Sequence, residues 1–343
     1  MKILILLILL PLQIVFSSCS KKNSTENINA IPSNLNLNAV VSTDNSGNVT
    51  FTATATNAVN FDFDFGNGVF QSSLTGIVTY KYPSSGNYTV NVIAKSQSNL
   101  TVSKSIQITV SVGQSLLFSD EFDTPGAPNP SKWNYDIGTG SGGWGNNELQ
   151  YYTNRLDNAV VSNGTLKIIA KKENYSGSAY TSARLLTQNK FSFKYGKVEA
   201  RAKLPAGVGT WPAIWMLGNN ITTVGWPACG EMDIMEHKGS DLNKIYATLH
   251  HPGHSGGNGD GSTKIISNAT TEFHIYKMEW DAISIKFYID DALFYTFANT
   301  ASLPFNQNFF LLMNFAMGGN FGGSVDPAFT NATFEIDYIR VYQ

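Results

Sequence analysis

The sequence predicts an all-β protein built from two β-sandwiches, a small one followed by a large one. Three observations lead to this prediction. Apolar and polar residues alternate in short segments, as they do in half-buried strands. Gly, Asn, Ser and Thr, which favour turns, dominate the connections, and helical periodicity is weak. The length of 343 residues suits about two domains, and a hydrophobic content of 42% is ample for two cores.

The charge pattern narrows the range of partners. Charged residues make up only 14% of the chain, and the formal net charge is −2. The sequence has no basic run of the kind that neutralises phosphates, so we expect no nucleic-acid partner. After the N-terminus, no apolar run reaches the ~18–20 residues that a membrane-spanning helix needs.

The N-terminus predicts a signal peptide over residues 1–18. Lys2 supplies a positive charge, residues 3–16 are apolar, and two serines then precede Cys19. This pattern resembles a bacterial lipoprotein signal, with Cys19 as the lipidated first residue of the mature chain; an ordinary signal peptide is the alternative. It predicts an outer-membrane lipoprotein, periplasmic or on the cell surface, that touches the membrane only through its lipid, or otherwise a secreted protein.

A polar segment, residues 19–35, follows and is interpreted as a tether to the folded part. The only other cysteine is Cys229, which has no disulfide partner if Cys19 carries lipid. Its apolar neighbours favour a buried, inert thiol over a nucleophile.

The first domain is predicted over residues 36–112. Alternating strand segments are 49–55, 61–65, 88–94 and 106–110. The runs FDFGNG (63–68) and YKYPSSGNYTV (80–90) resemble a PKD-type immunoglobulin-like domain, with Phe63 where that family often has Trp. Such modules usually act as spacers, and less often as weak polysaccharide binders.

The second domain is predicted over residues 115–343. Many of its strand candidates end at turns rich in Gly, Asn or Asp, which fits one large two-sheet sandwich or jelly roll. The strand candidates are residues 165–170, 196–203, 246–250, 274–280, 284–289, 309–314 and 333–342.

Three carboxylates are concentrated in the run WPACGEMDIME (226–236). Glu231 and Asp233 are two residues apart and share one face of a strand. Glu236 is five residues from Glu231, so a regular strand would point it to the opposite face. A β-bulge near residues 234–235 would return Glu236 to the same face, and such bulges often re-aim side chains beside active sites.

With the bulge, the Cα atoms of Glu231 and Glu236 would lie roughly 13 Å apart, about four strand rises. Side chains leaning together could approach the carboxyl separation of about 5–5.5 Å found in retaining glycosidases, rather than the ~6.5–9.5 Å of inverting ones. Asp233, between them, can tune the protonation of a neighbour.

The alternative to catalysis is a solvated acidic strand. Against it, the intervening Met232, Ile234 and Met235 are apolar and place one face of the strand in a core. Tryptophans, whose faces stack well on sugar rings, lie just upstream.

The second domain resembles glycoside hydrolase family 16 over nearly all of its length. The matching runs are FSDEFD (118–123), GWGNNELQYY (143–152), GKVEARAKLP (196–205), WPAIWMLG (211–218), residues 226–236, NFAMGGN (314–320) and IDYIRVY (336–342). The resemblance implies a concave β-jelly roll, concanavalin A-like, with an open cleft. It implies Glu231 as the nucleophile, Glu236 as the general acid/base and Asp233 as the helper between them.

The resemblance also suggests a substrate. The extra Met235 is typical of the laminarinase, agarase and carrageenase branches, and GWGNNELQYY is most like β-1,3-glucanases. We therefore expect a monomeric retaining endo-glycosidase that hydrolyses laminarin-type β-glucan. The alternatives are an agarase- or carrageenase-type galactanase, a transglycosylase, or a non-catalytic glycan-binding lipoprotein.

Further positions resemble substrate contacts of the family, although Trp215 could belong to a core and Arg184 could pair with a surface carboxylate. Ala183 and Phe321 depart from the family pattern, which has Gly and Trp or Tyr there. His250 and His251 with His254 would suit a metal, but the Gly-rich loop 252–261 favours a cleft rim. The predicted substrate contacts are Asn147, Arg184, Trp211, Trp215, Trp226 and His250.

Catalysis by this family needs no cofactor, but the resemblance implies a structural calcium ion away from the cleft. Glu121, the carbonyl of Gly164 and Asp337 match the family's ligands, and oxygen atoms suit this hard cation. The alternative is that the two carboxylates cap turns or pair with Lys or Arg.

Overall fold

A computed structural model describes residues 30–343. The described residues fall into two compact units, which divide between Gly113 and Gln114, next to the boundary expected between residues 112 and 115. The predicted signal peptide 1–18, the lipidated Cys19 and most of the tether 19–35 lie outside the described residues.

The first unit is a sandwich of two antiparallel sheets. Its strands are β1 (Ser33–Val41), β2 (Asn48–Thr56), β3 (Asn60–Asp64), β4 (Phe70–Ser73), β5 (Ile77–Lys81), β6 (Gly86–Lys95) and β7 (Thr101–Val110). One sheet has the order β1-β2-β5 and the other β4-β3-β6-β7. Phe51 from the first sheet packs against Phe63 and Phe65 in the shared core, which confirms the small β-sandwich.

Strand β1 begins inside the segment that the sequence assigned to the tether. Leu37 is buried and Leu35 packs against the same core, so alternate residues of this segment face inward. Two leucines among many polar residues are a weak pattern, and for that reason the predicted domain began at residue 36 and not at Ser33.

The second unit is larger and also all-β. Its strands are β8 (Leu116–Asp120), β9 (Asn134–Asp136), β10 (Gln150–Tyr152), β11 (Ala159–Ser162), β12 (Thr165–Tyr175), β13 (Ser178–Ser182), β14 (Arg184–Leu186), β15 (Gly196–Lys203), β16 (Thr210–Gly218), β17 (Glu231–His237), β18 (Lys244–His250), β19 (Asp260–Ile265), β20 (His274–Trp280), β21 (Ser284–Ile289), β22 (Ala292–Ala298), β23 (Phe309–Met317) and β24 (Asn331–Tyr342). All seven predicted strand segments lie within these strands.

Two sheets form this unit. Within residues 114–343, the ten-stranded sheet has the order β10-β13-β12-β24-β15-β20-β21-β22, with β11 beside β12 and β8 beside β24. The seven-stranded sheet has the order β19-β18-β17-β16-β23-β14-β9. The main core lies between them, and neither sheet closes on itself. The all-β jelly-roll prediction is therefore confirmed.

Strand β23 shows how the seven-stranded sheet is covered on both faces, since all nine of its residues are buried. Leu311, Met313 and Phe315 join the main core. Phe310 and Leu312 point the other way, into a smaller apolar cluster that includes Trp215. The outer face of this sheet is therefore partly apolar, and a cleft forms over it.

Short helices occur only in connections of the part of the chain that the structure describes. They are α1 (Ile221–Val224), α2 (Gly319–Gly322) and a 3₁₀ turn (Gly256–Asn258). Residues Gly143–Asn147 form an irregular turn with non-helical backbone angles at Trp144 and Gly145. None of these described helices has the length and apolar character needed to cross a membrane.

Candidate active site

Strand β17 carries the three clustered carboxylates, and it contains the bulge that the sequence predicted. On one side, Asp233 pairs with Thr248 while Glu236 pairs with Tyr246, so β17 uses one residue more than β18 over this stretch. On the other side, Met235 pairs with Ile214 while Asp233 pairs with Trp215, which leaves Ile234 as the extra residue.

The bulge sorts the side chains of β17 between two environments. Met232, Ile234 and Met235 all enter the main core. Glu231, Asp233 and Glu236 all line a cleft of about 780 Å³ on the opposite face of the sheet. The parity prediction is therefore confirmed, because consecutive residues 234 and 235 both face inward.

Indole N–H groups hold the two glutamates at their places in the cleft. Trp226 Nε1 donates to Glu231 Oε2 at 2.7 Å, and Trp211 Nε1 donates to Glu236 Oε1 at 3.0 Å. Thr248 Oγ1 adds a longer bond of 3.3 Å to Glu236 Oε2. Each glutamate keeps a fixed orientation while its partners supply no full positive charge.

Asp233 lies between the glutamates and is almost fully buried. Its carboxyl group lies close enough to those of Glu231 and Glu236 for the neighbouring carboxyl groups to shift its pKa. His250 Nε2 lies 3.2 Å from Asp233 Oδ2 and 3.9 Å from Glu231 Oε1. Asp233 Oδ2 nevertheless has no hydrogen-bond partner among the described residues.

Burial makes all three groups weaker acids, and the charge of a neighbouring carboxylate adds to the effect at Glu231 and Asp233. Burial, followed by the charge of Asp233, raises the pKa of Glu231 well above its usual range. Burial and the charge of Glu236 do the same to the pKa of Asp233. Burial also raises the pKa of Glu236, although the bonds from Trp211 and Thr248 oppose the shift. The cluster therefore retains protons at a pH where ordinary carboxyl groups have lost them.

Arg184 is fixed at another wall of the cleft. Its guanidinium lies 4.7 Å from the ring centre of Trp144 and 4.8 Å from that of Trp215, so it stacks between two indoles. Its Nε also lies 2.9 Å from Asp136 Oδ2. Trp215 Nε1 in turn donates to Asn314 Oδ1 at 2.7 Å.

Aromatic side chains gather beside Glu236. The ring of Phe321 lies 5.2 Å from Trp211 and 5.0 Å from Tyr246, and all three residues line the cleft. Lys238 Nζ lies 4.8 Å from the centre of the Phe321 ring. Flat apolar faces beside carboxylates suit a ligand with both hydroxyl groups and C–H faces, as a sugar has.

The second unit is similar to a large set of known proteins. A family model described as "Glycosyl hydrolases family 16" matches residues 146–340, more than half of the chain. The chain belongs to glycosyl hydrolase family 16. It is therefore a glycoside hydrolase, and the prediction of an enzyme is confirmed. A second family model, "Beta-glucan synthesis-associated protein SKN1/KRE6/Sbg1", matches residues 49–232.

Relatives in family 16 include well-covered curated proteins and solved structures. A β-glucanase from Rhodothermus marinus is 46% identical over 244 residues, covering 66% of this chain and 85% of that protein. A glucan endo-1,3-β-glucosidase from Cryptopygus antarcticus is 36% identical, covering 66% and 90%. The crystal structure of the R. marinus laminarinase aligns with a TM-score of 0.65 and 45% identity, covering 67% of this chain and 98% of that one.

Five of the six predicted substrate contacts of this family 16 chain line the cleft: Arg184, Trp211, Trp215, Trp226 and His250. Trp226 is about half exposed, whereas Trp215 is almost buried and also belongs to the outer apolar cluster. Asn147 does not line the cleft; it donates to Asn320, which does. The roles of all six residues stay predictions.

Sequence reasoning missed several cleft residues. Thr248 and Tyr246 could have been found from their positions on the strand beside the acids, and Asn314 from its place in a matching run. Asp136, which supports the cleft residue Arg184 without lining the cleft, gave no signal, because this contact spans 48 positions of sequence.

The predicted calcium ligands are engaged with arginines. Arg340 Nε and Nη2 donate to the two oxygens of Glu121 at 2.9 and 2.7 Å. Asp337 pairs with Arg201. The two carboxylates therefore form the ion pairs of the alternative, and the calcium site stays a prediction.

Proposed function

We propose that this chain is a retaining endo-β-1,3-glucanase that acts on laminarin-type glucans. Its relatives named above, a β-glucanase, a glucan endo-1,3-β-glucosidase and a laminarinase, support this substrate class. The observation that carries the proposal is the bulge of β17, since it turns Glu231 and Glu236 into one cleft while their apolar neighbours stay in the core.

In the proposed mechanism, Glu231 attacks the anomeric carbon and forms a covalent glycosyl-enzyme. Glu236 donates a proton to the leaving glycosidic oxygen, and then accepts a proton from the water that hydrolyses the intermediate. These two steps invert the anomeric carbon twice and so retain its configuration. The chemistry is complete without a cofactor.

Asp233 serves the same mechanism as a proton partner. A carboxyl group with a raised pKa can keep the proton that the leaving group needs, and repulsion within the trio ensures that the three groups are not all ionised together. When Asp233 holds a proton, it no longer repels an ionised Glu231, so the nucleophile keeps its charge more easily. Formation of the glycosyl-enzyme removes the charge of Glu231. Glu236, ionised after it has given its proton to the leaving group, can then accept a proton from the attacking water.

The proposal extends to the whole chain. We infer that the protein is exported, lipidated at Cys19, and held in the outer membrane by its lipid alone. The first unit then serves as a PKD-like spacer, and the protein acts as a monomer. A calcium ion at Glu121, Gly164 and Asp337 stays a prediction, against which the arginine partners of the two carboxylates count.

The test of the activity is a product profile on laminarin, lichenan, agarose, carrageenan and keratan sulfate. We expect laminarin to yield a ladder of oligosaccharides early in the reaction, with the β-anomer as the first product in proton NMR spectra. The keratan-sulfate arm is included because a keratan-sulfate endo-1,4-β-galactosidase from Sphingobacterium multivorum is 36% identical over 245 residues. Cleavage of a galactan without cleavage of laminarin would overturn the substrate assignment, and an α-anomer as first product would overturn retention.

Localisation has a separate test. Metabolic labelling with a fatty-acid analogue should modify the wild-type chain, whereas the variant C19A should stay unlabelled and leave the membrane fraction. Equal labelling of both proteins would contradict lipidation at Cys19.

A further inference from the structure

A tight turn beside the cleft brings two histidines together. His251 N donates to His254 O at 2.8 Å, and His254 N donates to His251 O at 2.9 Å, so the backbone fixes the turn from both sides. The two imidazole rings stack with their centres 4.7 Å apart and an angle of 18° between their planes. Asp260 joins them because β19 pairs with β18, with Asp260 opposite Leu249.

The side chains of these three residues converge on one point. Asp260 Oδ2 lies 2.9 Å from His251 Nε2 and 3.1 Å from His254 Nδ1. One donor atom from each residue lies within 4.8 Å of the other two. The cluster combines two imidazole nitrogens with one carboxylate oxygen.

Burial differs across the cluster in a way that suits ligand entry. His251 is almost buried, and its ring packs 5.7 Å from Phe305 and 5.9 Å from Phe297. The side chain of His254 is 49% exposed and that of Asp260 is 31% exposed. His251 is therefore held in place by packing, whereas the exposed side of the cluster, at His254 and Asp260, is accessible to an ion and to water.

We propose that His251, His254 and Asp260 bind one divalent transition-metal ion, with Zn²⁺ as the favoured ion. Zinc takes imidazole nitrogens and carboxylate oxygens at about 2.0–2.2 Å, often with three protein ligands and one water. Tetrahedral ligands at those lengths lie roughly 3.3–3.5 Å apart, only a few tenths of an ångström more than the separations from Asp260 to the two rings. Two nitrogen ligands in a set of three disfavour Ca²⁺ and Mg²⁺, which prefer oxygen.

Proton placement is compatible with this binding. A neutral imidazole carries one N–H, so each ring can turn its lone pair toward the metal when its proton sits on the other ring nitrogen. The N–H···O bonds to Asp260 are then replaced by bonds from the nitrogens and from Asp260 to the ion. No redox change or further reactant is needed.

The ion would connect the histidine turn to Asp260 and so fix both ends of the segment 255–259, which forms part of the cleft wall. Residues 255–259 connect the histidine turn to Asp260, and Gly256, Gly257 and Gly259 line the cleft next to His250. A Cβ at Gly259 would lie 2.7 Å from the His250 ring, so this segment packs directly on a residue that faces the acids. Bound metal would therefore restrict the glycine-rich wall, a role separate from the proposed hydrolysis.

The experiment titrates Zn²⁺ and Co²⁺ into the tag-free full chain by calorimetry and visible absorption. The variants are H254A and D260N, and the matched control is D290N, which removes the acid of another His–Asp pair, His274 with Asp290. We expect one equivalent of metal in the wild type and in D290N, with affinity lowered at least about 10–100-fold in H254A and D260N. Because His254 is half exposed, H254A should fold, and its tryptophan fluorescence checks this.

Two outcomes would overturn the site. One is a wild-type chain that binds neither ion. The other is H254A or D260N binding as tightly as the wild type, since the ion would then lie elsewhere, as at the Glu231, Asp233 and His250 group in the cleft. Zn²⁺ should also slow proteolysis at residues 255–259 in the wild type and leave H254A unchanged.

Discussion

Carboxylates occur on the outer faces of both sheets of the second unit, in opposite electrostatic settings. On the ten-stranded sheet, Glu335 lies 2.8 Å from Lys203 and 3.3 Å from Lys167. Asp337 on the same sheet and Glu121, directly after strand β8, have arginine partners. On the seven-stranded sheet, the three acids of β17 face one another, and no Lys or Arg of the described residues lies within ion-pair distance of them.

The pKa shifts follow this difference. Hydrogen bonds from Arg340 lower the pKa of Glu121. Burial alone would raise the pKa of Glu335, but hydrogen bonds from Lys203 and Thr165 outweigh it and lower that pKa. The pKa values of Glu231, Asp233 and Glu236 are raised. Paired carboxylates stabilise the fold, whereas clustered ones cost stability and gain the proton affinity that acid catalysis needs.

The largest expected effect is on activity and concerns the clustered carboxylates in the cleft. We predict that Glu231→Gln lowers laminarin hydrolysis by about 10⁴–10⁶-fold, the range seen when other enzymes lose a catalytic residue of this rank. An amide is isosteric but cannot form the glycosyl-enzyme. Reducing-sugar release measures the loss. The matched control Glu335→Gln should keep full activity, and similar losses in both variants would show that the two faces do not differ in function.

A somewhat smaller effect is expected at the acid/base. Glu236→Gln should lower hydrolysis of laminarin by about 10²–10⁴-fold, the usual contribution of general acid catalysis. An aryl β-glucoside oligomer with a good leaving group needs no protonation, so its first cleavage step should be far less affected. Stopped-flow release of the phenol would show a burst followed by slow turnover. Equal losses on both substrates would contradict the assignment of Glu236 as the acid.

The sequence predicted this trio because parity on a strand is a strict local rule. Glu236 could meet Glu231 only through an extra residue, and the structure has that residue at Ile234. The same period-2 rule accounts for long strands such as β15 and β20. Strands of three residues, such as β9 and β14, have too few positions for any alternation and were missed.

Contacts that depend on irregular backbone were beyond the sequence. Asn147 was expected in the cleft, but it ends an irregular turn in which Trp144, Gly145 and Asn147 have positive φ, so side-chain directions there follow no regular period. Asn146 and Glu148 line the cleft instead. The pairing of Glu121 with Arg340 also could not be read from the family motif, because the motif gives the carboxylate and not its neighbour in space.

The third prediction concerns the free energy of unfolding across pH. The pKa of Asp233 is higher in the folded protein than in the unfolded chain. At pH values between these two pKa values, the folded protein therefore binds more protons than the unfolded chain. Stability should therefore fall as pH rises through that window. Asp233→Asn should flatten the fall and make the protein about 1–2 kcal/mol more stable at neutral pH, while lowering activity. Urea unfolding at several pH values measures this, and a slope as steep as that of the wild type would contradict it.

The smallest expected effect concerns the ion-paired carboxylates of the ten-stranded sheet, whose loss should lower the free energy of unfolding. Glu335→Gln should cost about 1 kcal/mol at neutral pH, in the upper range for partly exposed ion pairs. Because the folded state lowers the pKa of Glu335, its contribution is present above the unfolded pKa and is lost as pH falls through the folded pKa. The difference in free energy of unfolding between the wild type and Glu335→Gln should therefore vanish in acid. The stabilisation by Asp233→Asn should vanish there too, because the Asp233 carboxyl group of the wild type is then protonated in both the folded and the unfolded state.

Tryptophan fluorescence can follow both variants in the second unit alone, since all six tryptophans of the chain lie after Gly113. At neutral pH the two variants should then shift the urea midpoint in opposite directions, Asp233→Asn upward and Glu335→Gln downward. High salt should shrink the shift of Glu335→Gln more, because its ion pairs are partly exposed and the trio is buried. Shifts of the urea midpoint in the same direction would contradict the view that ion-paired carboxylates stabilise the fold while clustered ones destabilise it.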